Sequence, residues 1–433
     1  MQRPSGAAGS PPVPCKSKVL VVGTTADYID WIQSKYPGEG LFLTDPGVRR
    51  EAMELPPAPA DELQCDLTDY RRVRVRLEQH LEQYHLDLAG IACFDCESME
   101  LAAVLAEHFS LRYPAVQAVR NCRDKLRTKT LWQSHGLNTP AGAPVDTAAA
   151  AVRFLGEAGG PVVLKPSSGS GSELVFDCVD DSACRSAHQQ IHDGLRQRRC
   201  HRLYANKDAE AARIMAEARV DGREFSCDFA VDNGRVRLIR LTRKIKAREV
   251  PFGTILGYLL PAQLPAAIEP DIFRRTLLQS AAALGIQRAI CMLDFMVHED
   301  RLVLLELAPR PGGDCLPFML RCKYRLDILK LQLDFARQKA VPIEHPRNGA
   351  PLAGVRLYAE KNGTLSRIDT RALERDARIQ EIHLTRQPGH RIALPPEDYD
   401  SWLLGHILFV PDDRGPVEAQ AVEILDRVRV EVV

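Results

Sequence analysis

Three groups of residues in this sequence have types and spacings suited to chemistry. Lys165 ends the apolar run Val162-Val163-Leu164 and is followed by Pro166 and the loop Ser167-Ser168-Gly169-Ser170-Gly171-Ser172. Glycines let backbone N–H groups turn towards an anion, small hydroxyls add donors, and a lysine supplies a point charge. Such a loop can cradle phosphates. An exposed lysine before a flexible turn is the plainer alternative. Asp294 and Glu306 are lone carboxylates in the apolar runs Met292–Val297 and Leu302–Ala308. A buried carboxylate needs a partner. Two acids on the same side of one hairpin suit magnesium, whose other ligands come from water and phosphate. Pairing with Arg288 or Arg310 is the simpler alternative. The third group is Arg310 with Gly312, Gly313 and Asp314, directly after Glu306. An arginine beside bound metal can neutralise a transferring phosphoryl group, and the glycines allow close backbone approach. An ordinary exit from strand to turn competes with that reading.

The elements that must position these residues follow from periodicity. Strands at Lys18–Gly23, Gly40–Thr44 and Leu88–Cys93 alternate with helices at Tyr28–Lys35, Val73–Tyr84 and Met99–Phe109. This alternation predicts a small open parallel α/β domain. Gly23 lacks the remaining glycines of a dinucleotide fingerprint. A helix is expected over Arg123–Ser134 and another over Thr147–Glu157. Gly160–Pro166 and Glu173–Cys178 read as strands of a hairpin around the Ser/Gly loop, and Asp181–Leu195 as a helix. From Ile214 the pattern changes to antiparallel strands, with an Asn233-Gly234 hairpin turn, a helix over Ile272–Leu284, and a hairpin at Ala289–His298 and Arg301–Leu307. Asp327–Phe335 reads as a helix, and the tail from Pro351 as β-rich. The expected divisions are a disordered leader at 1–17, an N-terminal domain at 18–120, two central subdomains at 121–200 and 201–345, and a C-terminal β-rich domain at 346–433.

Composition narrows the function classes. The 433 residues exceed what one core usually supports, and the 45% apolar content suffices for several. Fifty-seven basic residues balance 57 acidic ones, which argues against nucleic acid or an acidic membrane as the main partner. Of the basic stretches Arg71–Arg76, Arg196–Arg202 and Arg240–Arg248, only the last is expected to matter. No apolar run is long enough to cross a bilayer, and the Pro/Gly/Ser-rich start lacks a secretory core. A cytoplasmic location is therefore expected. The twelve cysteines read as free thiols, Cys93 and Cys96 included, rather than as a disulfide framework or metal site. The lone histidines His80, His108 and His188 are expected on helix surfaces, and His298 facing outwards.

Taken in order over residues 18 to 430, these motifs resemble the ATP-grasp superfamily. Within it they resemble the carboxylate–amine ligases of the L-amino-acid (dipeptide) ligase kind. The resemblance implies an α/β and α+β multidomain ATP-grasp fold, with an open parallel pre-ATP-grasp domain and a small β-rich C-terminal unit. Lys125 and Lys165 would contact nucleotide phosphates, with Ser168, Gly169, Ser170, Gly171 and Ser172 as the lid over them. Glu217 would hold the adenine amino group, the backbone of Ala218 to Val220 would complete that edge, and Glu224 would accept ribose hydroxyls. Asp294 and Glu306 fall at the magnesium carboxylates, with manganese an alternative ion. Arg310 falls near the acyl phosphate. Lys244, in the basic run, would contact phosphate, and Pro251–Pro261 would border the acceptor site. The superfamily's Glu-x-Asn-x-Arg pattern is broken, because Ala308 stands where asparagine is expected.

That resemblance implies an ATP-dependent ligase. A carboxylate becomes an acyl phosphate, an amine attacks it, and ADP and phosphate leave. The implied partners are small carboxylates and amines, with amino acids or a small carboxylic acid as the substrates, and homodimerisation is a feature of similar folds. A carboxylase, a nucleotide-biosynthesis ligase and an ATP-binding regulator are the alternatives, the last resting on Ala308.

Overall fold

Residues 16–199, 201, 202, 204, 213–246, 251–341 and 349–433 are described by the computed structural model. The expected leader lies outside the described residues up to position 15, as does Arg248 of the basic run. Lys16 and Ser17 were expected in that leader. They instead begin a strand, Lys16–Val22, because their backbones pair with Leu86 and Asp87.

This strand is central in a parallel sheet ordered Glu62–Gln64, Gly40–Thr44, Lys16–Val22, Leu86–Ala92. Val19 to Val22 and Leu41 to Leu43 are wholly buried, as expected of strands covered on both faces. A second sheet, ordered Gly142–Pro144, Ile214–Ala218, Val162–Pro166, Phe176–Cys178, is antiparallel. The last strand is shorter than the expected Glu173–Cys178. Ser172 and Leu174 have φ of 61° and 56°, which turns the chain before pairing starts.

The helix expected over Arg123–Ser134 is two helices, Val116–Arg123 and Lys125–Ser134. Asp124 is extended (φ −96°, ψ 105°) and its carboxylate accepts from Arg127 N, capping the second helix. The break turns Lys125 to face the Ser/Gly loop: its backbone N–H donates to Ser167 O at 2.8 Å.

The largest sheet has eight strands, in the order Arg301–Ala308, Arg288–His298, Arg223–Asp232, Arg235–Lys246, Ile255–Leu260, Leu352–Tyr358, Leu403–Phe409, Ile379–Leu384. All its pairings are antiparallel. The sheet runs without interruption across the division expected at 345/346. Ile255–Leu260, expected within a bordering loop, is one of its inner strands. Leu316–Tyr324, a helix that periodicity did not reveal, follows the Gly312-Gly313 turn and packs Leu316, Met319 and Leu320 into the core shared with the parallel sheet. A small sheet of Gly363–Asp369, Arg391–Ile392 and Arg429–Val432 closes the chain.

Candidate active site

A cavity of about 600 Å³ opens between the second sheet and the eight-stranded sheet. Its wall includes Lys125, Lys165, Gly169, Ser170, Gly171, Ser172, Glu217, Ala218, Val220, Glu224, Lys244, Asp294, Glu306 and Arg310. Segments nearly two hundred residues apart thus deliver the singled-out side chains to one place. Ser168 is the exception: it is 2% exposed and is not on the cavity wall.

One side of the cavity is built around a buried carboxylate between two lysines. Glu217, in the strand beside Lys165, lies 2.5 Å from Lys165 Nζ and 2.8 Å from Lys129 Nζ. Burial pushes this carboxyl up, but the two ammonium groups more than offset that and hold it at about 2. Lys129 was not anticipated from sequence. Its signal was its position four residues after Lys125, which puts both on one helix face. Lys129 also reaches Thr139 Oγ1 at 3.3 Å. Lys125 Nζ donates to Gly169 O at 3.0 Å, which ties the loop to the helix start.

On the opposite side, register does what the hairpin reading expected. Asp294 and Glu306 are direct cross-strand partners. Neither pairs with Arg288 or Arg310. Lys244 Nζ donates to Asp294 Oδ2 and to Glu224 Oε1, both at 2.7 Å, and Lys246 approaches Glu224 at 3.2 Å. Glu306 lies 3.5 Å from Lys125 Nζ. Burial lowers the affinity of Lys244 for its proton, yet Asp294 and Glu224 more than reverse this and keep it charged. Asp294 is pushed up by burial, with Glu306 and Glu224 adding repulsion against the pull of Lys244. Its Oδ1 is buried and has no hydrogen-bond partner. Among the described residues no three His, Cys, Asp or Glu side chains form a metal cluster. The donor set is therefore this pair of carboxylates, with one orphaned oxygen. It fits a hard cation that takes its remaining ligands from phosphate and water.

The basic run divides by strand alternation at Arg243 and by position along the strand at Arg240. Among its described residues only Lys244 and Lys246 reach the cavity. Arg243 pairs with Glu418. Arg240 was expected with the run on the ligand side, but it turns into the core, where both it and Asp228 have no side-chain exposure. Its Nε and Nη2 donate to the two Asp228 oxygens at 2.8 and 2.9 Å, and its Nη1 to Thr242 Oγ1 at 2.8 Å. Gly312 N donates to Asp228 Oδ1 at 3.1 Å, so this pair anchors the Gly312-Gly313 turn. A Cβ on Gly312 would lie 2.4 Å from Arg240 Nη2, which explains the glycine. The turn in turn fixes Arg310, whose Nη1 donates to Pro311 O at 2.7 Å while Nε and Nη2 face Cys96 Sγ at 3.1 and 3.0 Å. Asp314 accepts from Arg356 Nε at 2.5 Å on the same wall.

The stretch Arg196–Arg202, set aside from sequence, holds the loop over the cavity. Arg198 binds Glu173, just after the Ser/Gly loop, and its Nη2 donates to Pro396 O and Glu397 O at 2.8 Å each. Tyr204 OH donates to Glu173 Oε2 at 2.8 Å, and Ser172 Oγ donates to Gly253 O at 2.7 Å. Away from the cavity, His298 is exposed and His108 meets Glu78 at 2.6 Å, in line with surface positions. His80 is not on the surface. It is 7% exposed and stacks beside Tyr84, because its helix face packs onto the loop carrying Ala60 O, 3.3 Å away. Cys93 and Cys96 are free and buried.

Residues 158–317 match the ATP-grasp domain, the stretch that holds Lys165, Glu217 and the Asp294–Glu306 pair. This stretch is an ATP-grasp domain, the chain has the ATP-grasp fold, and its resemblance lies with the carboxylate–amine ligases. It is 27% identical to the D-alanine–D-alanine ligase of Acidovorax ebreus (strain TPSY) over 208 residues, 46% of this chain and 57% of that one. The chain thus spans little more than half the length of that relative. The fold is similar to the L-amino acid ligase from Bacillus licheniformis, with a TM-score of 0.73 at 19% identity, covering 97% of this chain and 100% of that one. It is also similar to the biotin carboxylase domain of Hydrogenobacter thermophilus 2-oxoglutarate carboxylase in complex with MgADP and bicarbonate. There the TM-score is 0.65 at 16% identity, covering 96% and 91%. No helix among the described residues is long and apolar enough to cross a membrane.

Proposed function

We propose that this protein is an ATP-dependent carboxylate–amine ligase acting on amino acids or another small carboxylic acid. The observation that carries the reading is the convergence of Lys125, Lys165, the Ser/Gly loop and the Asp294–Glu306 pair on one cavity. Its volume suits a nucleotide with a small substrate beside it. Lys125 and Lys165 orient the phosphate chain, and the Gly169–Ser172 backbone covers it. Glu217 holds Lys129 and Lys165 in place, which adds to its expected contact with the adenine edge along Ala218 to Val220. Glu224 remains the candidate for ribose. Magnesium, or manganese, held by Asp294 and Glu306 would neutralise phosphate charge.

Lys244, kept protonated between Asp294 and Glu224, faces the same charge from the sheet side. Arg310 stands where negative charge grows on the acyl phosphate. The loop latches at Ser172 and Glu173 exclude water from an intermediate that water would destroy. An amine then attacks the carbonyl carbon and phosphate leaves, giving an amide. The tail residues 346–433 contribute Arg356 to this cavity, so the C-terminal unit takes part in substrate recognition. The regulator alternative is not favoured, since Ala308 is the one departure on a wall whose lysines and acids are all present.

The test is a phosphate-release screen of amino-acid pairs and small dicarboxylates with ATP and magnesium. Amine-dependent release of ADP and phosphate supports the reading. Unchanged nucleotide binding and turnover after replacing Lys125, Lys165 and Glu306 in turn would sink it.

A further inference from the structure

The cations around this cavity are nearly all matched. Lys129 and Lys165 share Glu217, Lys244 and Lys246 share Glu224, and Arg356 has Asp314. Lys125 faces Glu306. Two guanidinium groups on the wall have no carboxylate among the described residues. Arg310 faces only a thiol and a carbonyl. Arg123 has a buried Nη2 with no hydrogen-bond partner at all. A buried donor left unsatisfied is costly, so such a group points to a ligand that completes it.

The position of Arg123 specifies that ligand. It is the last residue of Val116–Arg123, and the break at Asp124 carries the chain directly into Lys125. The charge of Arg123 acts on both Lys125 and Glu306, and Cys96, which receives the Arg310 fork, acts on Lys125 too. Arg123 therefore stands at the end of the cavity where Lys125, Glu306 and Arg310 meet.

We propose that Arg123 binds the phosphoryl group in transit, a role that rests on the nucleotide reading above. In that step the bond between the terminal phosphorus and the bridging oxygen of the triphosphate breaks, and that oxygen leaves with ADP. A new bond forms from the same phosphorus to a carboxylate oxygen of the substrate. Arg123 Nη2 donates to a non-bridging phosphoryl oxygen before and after transfer, and Arg310 binds the group at the same end of the cavity. Arg123 consequently recognises the third phosphate and contributes little to the first two.

Magnesium-dependent binding of ADP and of a non-hydrolysable ATP analogue (AMP-PNP) tests this in wild type, R123Q and R123K, with melting temperature as the folding control. The expected result is about a tenfold or greater loss of AMP-PNP affinity in R123Q, ADP affinity within about twofold, and partial recovery in R123K. Equal losses for both nucleotides, or no loss for either, would overturn the role of Arg123 while leaving nucleotide binding standing. So would a variant that binds both nucleotides normally but shows a raised KM for the carboxylate substrate alone. Wild-type protein that binds neither nucleotide would overturn the ligase reading and this one together.

Discussion

Two buried charge arrangements lie on neighbouring strands of the eight-stranded sheet, and they differ in one respect. Around Asp228 and Arg240 both carboxylate oxygens are taken, by the Arg240 fork and by Gly312 N, and the guanidinium is further tied to Thr242 and the Ser226 carbonyl. Around Asp294 and Glu306 the acids face each other, Asp294 Oδ1 is orphaned, and Lys244 and Lys125 are the ion-pair partners among the described residues. A closed network fixes a turn. An open one, on a cavity wall, is held ready for charge from outside. The same residue types yield scaffold in one place and a candidate binding site in the other, and hydrogen-bond completeness separates them.

The comparison can be broken most forcefully at its closed end. Asp228→Leu strands Arg240 in the core and should cost about 3–5 kcal/mol in denaturant titration. Asp228→Leu combined with Arg240→Met should recover much of that loss. A loss of less than about 1 kcal/mol in the single variant would show that the closed network is dispensable.

His406 sharpens the distinction, because it too has an unpartnered buried nitrogen but lies off the cavity wall. Burial holds its imidazole down at about 4, against an ordinary 6.5. The unfolded chain therefore takes the proton first as pH falls. Stability contributed by neutral His406 is complete above pH 6.5 and is lost as pH falls through about 4, a swing of about 3 kcal/mol. His406→Gln should flatten that part of the stability–pH curve and leave turnover at neutral pH largely unchanged.

At the open end the expected order of effects reverses. Asp294→Asn removes a charge that burial and two acids already disfavour. Its melting temperature should stay within a few degrees of wild type while ATP turnover falls by about a hundredfold or more. A matching loss of stability would erase the contrast with Asp228. The smallest effect is expected for Ser172→Ala, which removes one latch to Gly253 and should cost about 1 kcal/mol or less, read as faster limited proteolysis of the loop.

Much of this arrangement was legible in the sequence, for reasons that particular residues make plain. Asp294 and Glu306 stood out because an acid within an apolar strand demands a partner, whereas the register shift between Asp294 and Phe295 that sets them directly opposite each other left no sign in the sequence. The parallel front followed from strand–helix alternation. Asp124 was harder, since an acid within a helical period gives no sign of whether it caps or continues. Arg240 and Lys244 looked alike within one basic run. Both lie on one face of their strand, and what covers that face separates them: the Gly312-Gly313 turn closes over Arg240, while Lys244 stands at the cavity. Lys129 and Arg198 resembled surface charges because their partners, Glu217 and Glu173, are remote or lie across the loop. The continuation of the large sheet past residue 345 left no local trace, for pairing between distant strands is not written into either strand alone.

That continuation bears on how the protein is made. A ribosome delivers the phosphate-handling lysines and both candidate metal acids by residue 306, but Leu352–Tyr358 arrives later and is the strand that covers Ile255–Leu260. Until then the nascent chain carries an apolar strand edge next to a half-built cavity, the kind of surface that invites pairing with a neighbouring chain. Synthesis is thus the interval in which this protein is most exposed to misassembly. A stop anywhere between 310 and 352 would leave a product that holds the chemistry's residues without the strand that finishes their sheet.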